Sequence, residues 1–317
     1  MKKLLLPLIG LFALLSCNKK AEFPDYAFQT VYFAYQTPVR TITFGEDVFN
    51  TDLDNQGKCQ IVATTGGVYT SKRDVTIPIA VDNSLLGNGM LFGAGKDDVL
   101  PMPNNYFQLA ANSIVIKEGG LTGAVGVQLT DAFFNDPKSI KNTYVIPVRM
   151  TGKSGADSIL DGKGYVLYAV KYVNPWHGNY LRRGKDVITG SVNNTLVRHK
   201  FYVEDDEVNK LYTKAMKDVE FPLVYKDKNG VNVNCTLLLR FDDAGKCTVT
   251  GGSANITATG TGQFVKRGEK NSFGGKDRDA LYLNYTVTLS DMQVAATDTL
   301  VIRDRAVTME TFTPVAK

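Results

Sequence analysis

The strongest constraint on this chain is an alternation of two. In residues 280–289 the apolar Leu281, Leu283, Tyr285, Val287 and Leu289 take every second position, opposite Tyr282, Asn284, Thr286 and Thr288. Successive side chains of a strand point to opposite faces, so such a run is a strand with one buried and one solvated side. Residues 74–81 repeat the pattern with Val75, Ile77, Ile79 and Val81, and Pro78 within them predicts an edge, because proline cannot donate to a ladder. Shorter runs follow at 106–110, 113–117, 124–130, 144–150 and 165–173, separated by turn residues such as Gly119-Gly120 and Asn135-Asp136-Pro137. Short strands at this spacing predict a sandwich over residues 24–173.

A second β-rich half begins after Val173-Asn174-Pro175, where the chain's only tryptophan, Trp176, stands. Its strands are read at 223–225, 233–241, 248–250, 262–265, 280–289 and 299–311. An antiparallel meander of this length removes its edges by closing into an up-and-down barrel, here expected over residues 174–317. Residues 206–216 are open between two readings, since Val208, Leu211, Tyr212 and Ala215 sit at helical spacing but would also suit a hairpin.

Composition narrows the function. With 36 Lys+Arg against 32 Asp+Glu and no basic cluster, the chain has no nucleic-acid footprint. Residues 1–16 place Lys2 and Lys3 ahead of an apolar run from Leu4 to Leu15, the order of a secretory leader and too short to span a bilayer. Leu14-Leu15-Ser16-Cys17 resembles the bacterial lipobox, which implies acylation of Cys17 after cleavage and anchoring by several acyl chains. Residues 17–23 are then a lipidated tether. Asn18, rather than Asp, after the cysteine favours the outer membrane, with the body at the cell surface or on the periplasmic face.

Chemistry is scarce. There are two histidines, His177 and His199, and no G-x-S-x-G, H-E-x-x-H, P-loop or EF-hand pattern, so neither a nucleophilic triad, a metal nor a cofactor is expected. Glycoside hydrolysis needs only two carboxylates, but Asp242-Asp243, Asp205-Asp206-Glu207 and Asp277 with Asp279 all fall in turns, where Asp serves local hydrogen bonding. Cys235 and Cys247 flank a hairpin in which Phe241 faces Cys247. Cys235 then lies about 20 Å up its strand, beyond the roughly 7 Å that a disulfide tolerates. Together with Cys59, both are expected as free thiols.

Longer stretches resemble a family of two-domain lipoproteins of the Bacteroidetes, found near polysaccharide-utilisation systems and commonly labelled adhesins or proteins of unknown function. The resemblance is carried by Leu100-Pro-Met-Pro-Asn-Asn-Tyr-Phe107, Ile114-Val-Ile-Lys-Glu-Gly119, Val125-Gly-Val-Gln-Leu-Thr-Asp-Ala-Phe-Phe134 and Thr143-Tyr-Val-Ile-Pro-Val148 in the first half. In the second half it rests on Asn174-Pro-Trp-His-Gly-Asn-Tyr180, Phe241-Asp-Asp-Ala-Gly-Lys-Cys247, Gly274-Gly-Lys-Asp-Arg-Asp279 and Asp298-Thr-Leu-Val-Ile-Arg-Asp-Arg305. It implies an immunoglobulin-like sandwich followed by a lipocalin-like barrel, and brings no catalytic residues. Trp176 with Arg303 or Arg305 resembles the Trp–Arg pair that closes lipocalin-like barrels, a structural role worth about 0.5–2 kcal/mol.

The expected function is non-catalytic binding of a glycan or adhesion at the envelope. Lys266, Arg267, Phe273, Lys276 and Arg278 in the loop 263–279 are the first candidate contacts, and Tyr106 with Phe107 the second. The alternatives are a structural or assembly partner of another envelope protein and, third, a glycoside hydrolase. A barrel filled by its own side chains would favour assembly over a small ligand.

Overall fold

The computed structural model describes residues 23–317. Cys17 and the leader 1–16 lie outside the described residues. The first unit comprises β1 (Thr30–Tyr32), β2 (Pro38–Thr43), β3 (Lys58–Gly66), β4 (Val75–Val81), β5 (Met90–Leu91) and β6 (Asp98–Pro101). It continues through β7 (Phe107–Leu109), β8 (Ser113–Ile116), β9 (Thr122–Leu129), β10 (Tyr144–Met150), β11 (Ser158–Ile159) and β12 (Tyr165–Val173). One sheet has the order β11-β1-β3-β9-β7. The other runs β2-β12-β10-β6-β5, with β4 joined to β10 and β8 to β4.

Their inner faces meet in one core that draws Val31, Ile61 and Val127 from the first sheet and Ile42, Ile77, Ile146 and Val170 from the second. Each such side chain contributes about 1.5–3 kcal/mol by leaving water. This is the sandwich that alternation led us to expect, immunoglobulin-like as the family resemblance implied. Pro78 sits where β4 changes partner, pairing with β8 up to Pro78 and with β10 from Ile79 onward.

The second unit comprises β13 (Gly178–Gly190), β14 (Asn194–Arg198), β15 (Glu207–Ala215), β16 (Asp218–Lys226) and β17 (Asn232–Phe241). β18 (Lys246–Gly251), β19 (Thr257–Ser272), β20 (Lys276–Thr288) and β21 (Met292–Asp304) complete it. All neighbours are antiparallel. β21 returns to β13 along its length, from Tyr180↔Ile302 to Gly190↔Met292, and closes a lipocalin-like barrel of eight strands. β14 runs beside the second part of β13, from Gly184↔Arg198 to Ile188↔Asn194, while β15 holds the first part.

Of the two readings open for residues 206–216, the structure takes the strand. Helical spacing at Val208, Leu211, Tyr212 and Ala215 is coincidental: only Leu211 is buried, and the backbone groups are taken by β13 and β16. The hairpin at Phe241 forms as read, with Phe241 opposite Cys247 and the Asp242 carboxylate accepting from the Ala244 and Lys246 amides. Cys59, Cys235 and Cys247 are free and buried.

The strand read at 299–311 breaks at Asp304. Beyond it the chain leaves the barrel and adds β22 (Glu310–Thr311) to β2 and β23 (Val315–Ala316) to β5 of the sandwich. Phe312 anchors this tail against Phe92, ring centroids 4.7 Å apart. The polypeptide therefore crosses between the two units twice.

Candidate functional site

The barrel interior is occupied by its own side chains. Tyr180, Leu211, Phe221, Leu237, Leu283 and Leu300 are among a continuous apolar core, and its polar part centres on Asp298, with the Tyr225 hydroxyl and Arg198 Nε left without a partner among the described residues. Asp298 accepts from Arg182 Nε (3.0 Å), from the Tyr285 hydroxyl (2.7 Å) and from Arg198 (2.5 Å). Arg198 also pairs with Asp186, and the Arg182 guanidinium lies 5.4 Å from the Phe221 ring centroid. Two arginines face two aspartates, so the buried charge is compensated, as burial of ions requires.

Where the units join, the expected Trp–Arg stack is not what forms. The Trp176 indole lies on the Phe241 ring, with centroids 4.0 Å apart and planes 9° from parallel. Arg305 is buried beneath the junction and donates to the carbonyls of His177 (2.8 Å), Asn174 (2.6 Å), Phe44 (2.8 Å) and Glu46 (2.9 Å). Five rigid donors let a guanidinium bridge carbonyls from both units at once. Arg303 stays at the surface, bonded to its neighbour Asp304.

The hairpin 263–279 gathers its predicted contacts but spends them on one another and on the sandwich. Arg267 pairs with Glu46 (2.6 Å) and Asp279 (2.9 Å), and Lys266 also reaches Glu46 (3.1 Å). These hydrogen bonds, that of Arg267 foremost, hold the Glu46 carboxyl below its usual range. The Arg278 guanidinium covers the Phe273 ring at 3.9 Å and donates to the Phe273 carbonyl. Lys276 is exposed and lines a cleft of about 340 Å³ with Arg267, Arg278, Glu46 and Asp277. Glu46, Asp277 and Asp279 in it are paired with Lys266, Arg267 and Lys270, whereas Lys276 meets no carboxylate among the described residues and Arg278 is held by Phe273.

Tyr106 and Phe107 are not a platform either. Both pack against the sandwich core, and the Tyr106 hydroxyl shares the Asp136 carboxylate with Tyr144. Sequence spacing offered no sign of this, because the partners Phe133, Asp136 and Tyr144 come from other elements.

The open surface lies elsewhere, on the outer face of β18 to β21. A groove of about 980 Å³ runs over Lys246 and Thr248, Thr261 and Gln263, Tyr282 and Asn284, and Thr297 and Thr299. Asn284, Thr297 and Thr299 also line a second depression of about 630 Å³, which continues toward Arg183, Lys185 and His199. At the other end Lys217, Arg240 and Phe241 pass into a cleft between the units beside Asp136 and Tyr172. Inward-facing Gly260 and Gly262 let β19 press close to its neighbours here. A Cβ at Gly262 would stand 2.8 Å from Cys247 Sγ and 2.7 Å from the Tyr282 carbonyl.

Most outward positions of the groove carry hydroxyl and amide groups, which both donate and accept hydrogen bonds. Tyr282 adds a ring whose hydroxyl is fixed on Glu269 at 2.8 Å. Tyr282 and Asn284 were visible as the polar face of the 280–289 alternation, but a polar face reads as ordinary solvent exposure until the fold shows it lining a groove. Among the described residues no three His, Cys, Asp or Glu side chains gather to hold a metal ion.

Comparison with known proteins agrees with this architecture. Residues 175–306 match a domain of unknown function, DUF5627, and residues 26–157 match the model of an N-terminal domain. A Bacteroides ovatus protein of unknown function is 46% identical, with 92% of this chain and 99% of that one covered and a TM-score of 0.87. An auxiliary nutrient binding protein of Bacteroides thetaiotaomicron is 14% identical, covers 86% of this chain and 95% of its own, and has a TM-score of 0.40. Likeness at that level carries no argument about a ligand. Curated proteins give no match. With nearly half its residues shared along almost the whole of the Bacteroides ovatus chain, the protein belongs to a two-domain Bacteroidetes family that joins this N-terminal sandwich to a DUF5627 barrel.

Proposed function

We propose that the protein is a non-catalytic binding module held at the outer membrane through Cys17, facing the cell surface, and that a polysaccharide lies in the groove on the outer face of β18–β21. The observation that carries this reading is the groove's lining. Thr248, Thr261, Asn284, Thr297 and Thr299 present hydroxyl and amide groups beside the Tyr282 ring, the combination that suits sugar hydroxyls and the apolar face of a pyranose.

The carboxylates nearest the groove support binding over hydrolysis. Asp242 is engaged by its turn amides, and Asp298 lies inside the barrel wall, held by Arg182 and Arg198. A glycosidase needs a carboxylic acid and a second carboxylate free to meet the substrate. Replacing Tyr282 and Asn284 together by alanine is expected to weaken binding to a responsive polysaccharide by about tenfold or more, about 1.4 kcal/mol. Unchanged binding would remove the groove from the account.

A second reading, docking onto another envelope protein, is favoured by the filled barrel interior and by exposed apolar side chains at and after β14. Phe201 is 89% exposed and lies edge-on to the exposed Tyr202, with Leu196 and Val197 also uncovered on β14. Pull-down of a defined envelope partner that is lost in Phe201→Ser with Tyr202→Ser, without any glycan binding, would favour it.

A further inference from the structure

Four aromatic side chains stand uncovered where the described chain begins. Phe23 is 77% exposed, Tyr26 75%, Tyr69 63% and Phe28 58%. They belong to one surface. The Tyr69 hydroxyl donates to the Phe23 carbonyl (3.1 Å), and the Tyr69 amide donates to the Asp25 carboxylate (2.8 Å). Gly67, with φ +84°, brings this loop so near the first segment that a Cβ there would stand 2.2 Å from the Phe28 carbonyl. Lys72 reaches Asp25 from the same loop at 3.6 Å, and Arg73 follows it.

Single exposed aromatics need no explanation, but four carried by two segments that are hydrogen-bonded to each other do. Tyrosine and phenylalanine with basic neighbours have the composition of a membrane-interface belt, in which rings enter the headgroup layer while hydroxyls stay wet. The sequence places this surface next to the anchor. Cys17 precedes Phe23 by six residues, a reach of at most about 20 Å in an extended chain. Lys19 and Lys20 fall between them in the sequence, with Glu22, and match the charge of anionic headgroups, while Lys72 is paired with Asp25 and Arg73 donates to the Gly155 carbonyl.

We propose that Phe23, Tyr26, Phe28 and Tyr69 seat in the headgroup layer of the membrane that holds Cys17, so that the sandwich rests on the lipid surface by a defined face. This rests on the reading of Cys17 as acylated. It adds a second contact to the lipid chains, and it fixes which side of the molecule turns toward the bilayer.

The test uses the full-length lipoprotein purified from membranes and reconstituted in phosphatidylethanolamine–phosphatidylglycerol vesicles containing lipids brominated near the headgroup. Buried Trp176 supplies a constant background, so Tyr69→Trp and Tyr26→Trp each introduce one reporter at the patch, and Phe201→Trp introduces one on the barrel. Mass spectrometry of the same preparation reports the acyl chains. The expected result is a blue shift and loss of emission for Y69W and Y26W on vesicle insertion, with F201W unaffected. Acylated protein in which neither patch reporter is quenched would overturn the proposal and leave the anchor standing. A Cys17 without acyl chains would overturn the anchor reading and this inference with it.

Discussion

Trp176 and Phe241 stack face to face across the end of the barrel, 65 positions apart in the chain, with ring centroids separated by 4.0 Å. The pair joins the residue that follows the sandwich to the strand that begins the Asp242 hairpin, so it couples the inter-unit connection to the barrel core. Trp176→Ala is expected to cost about 3–5 kcal/mol, the range for truncating a buried aromatic, read as a drop in Tm or in the urea midpoint. Trp176 emission in the ligand-free protein should lie at the blue end, as for a buried indole. Loss of glycan binding with stability intact would instead make the indole a ligand platform.

Arg305 holds four main-chain carbonyls, of which that of Asn174 keeps the His177 amide as a donor and that of Glu46 lies at an exposed residue. Burial disfavours its charge, yet the guanidinium stays protonated and its donors are matched by Phe44, Glu46, Asn174 and His177. Arg305→Met is expected to destabilise the protein by about 1–3 kcal/mol, the penalty for leaving a buried acceptor, here the His177 carbonyl, without its donor. Arg303→Met, at the surface, should change stability by less than about 0.5 kcal/mol. Equal effects in denaturant titrations would contradict the assignment.

His177 gives a pH signature. Burial, with help from Lys210, Arg305 and Lys171, lowers its pKa to about 3, and its Nδ1 accepts from the Thr213 amide at 3.1 Å. The unfolded residue titrates near 6.5. Between those values the unfolded chain binds a proton that the folded one does not, so this group's contribution falls as pH drops from about 6.5 toward 3, by about 1.4 kcal/mol per pH unit. His177→Asn keeps an acceptor for Thr213 and removes the titration. Its stability relative to the unaltered protein is expected to improve steadily between pH about 6.5 and about 4. Parallel stability profiles of the two proteins would show that the imidazole is not held neutral.

The three thiols should be silent in the folded protein. Burial pushes Cys59 and Cys247 up to about 12 and Cys235 to about 11, far from the thiolate form at neutral pH. Thiol reagents are expected to label none of them in the native state and all three after unfolding without reductant. Fewer than three labelled would reveal a disulfide and contradict the strand geometry at Cys235 and Cys247.

What the sequence carried, it carried through local rules. The Phe241–Cys247 hairpin was legible because Asp242 builds its own turn, and the strand through Leu281 and Leu289 because alternation is a one-dimensional signal. The rest depended on partners far along the chain. Helical spacing in 206–216 could not reveal that β13 and β16 would claim its backbone. The candidate contacts Lys266 and Arg267 looked free because nothing near them in sequence announces Glu46, about 220 positions upstream. Nothing near Arg182, Asp186, Arg198 and Asp298 in the sequence announces that closure of the barrel brings them together.

The most direct test of the central claim incubates the purified full-length protein with a panel of polysaccharides and measures bound ligand and newly formed reducing ends in the same wells. The account expects saturable binding to at least one polysaccharide, lost in Tyr282→Ala with Asn284→Ala, and no reducing ends above background. Release of reducing ends that the groove variant abolishes would make this protein a hydrolase and contradict the account.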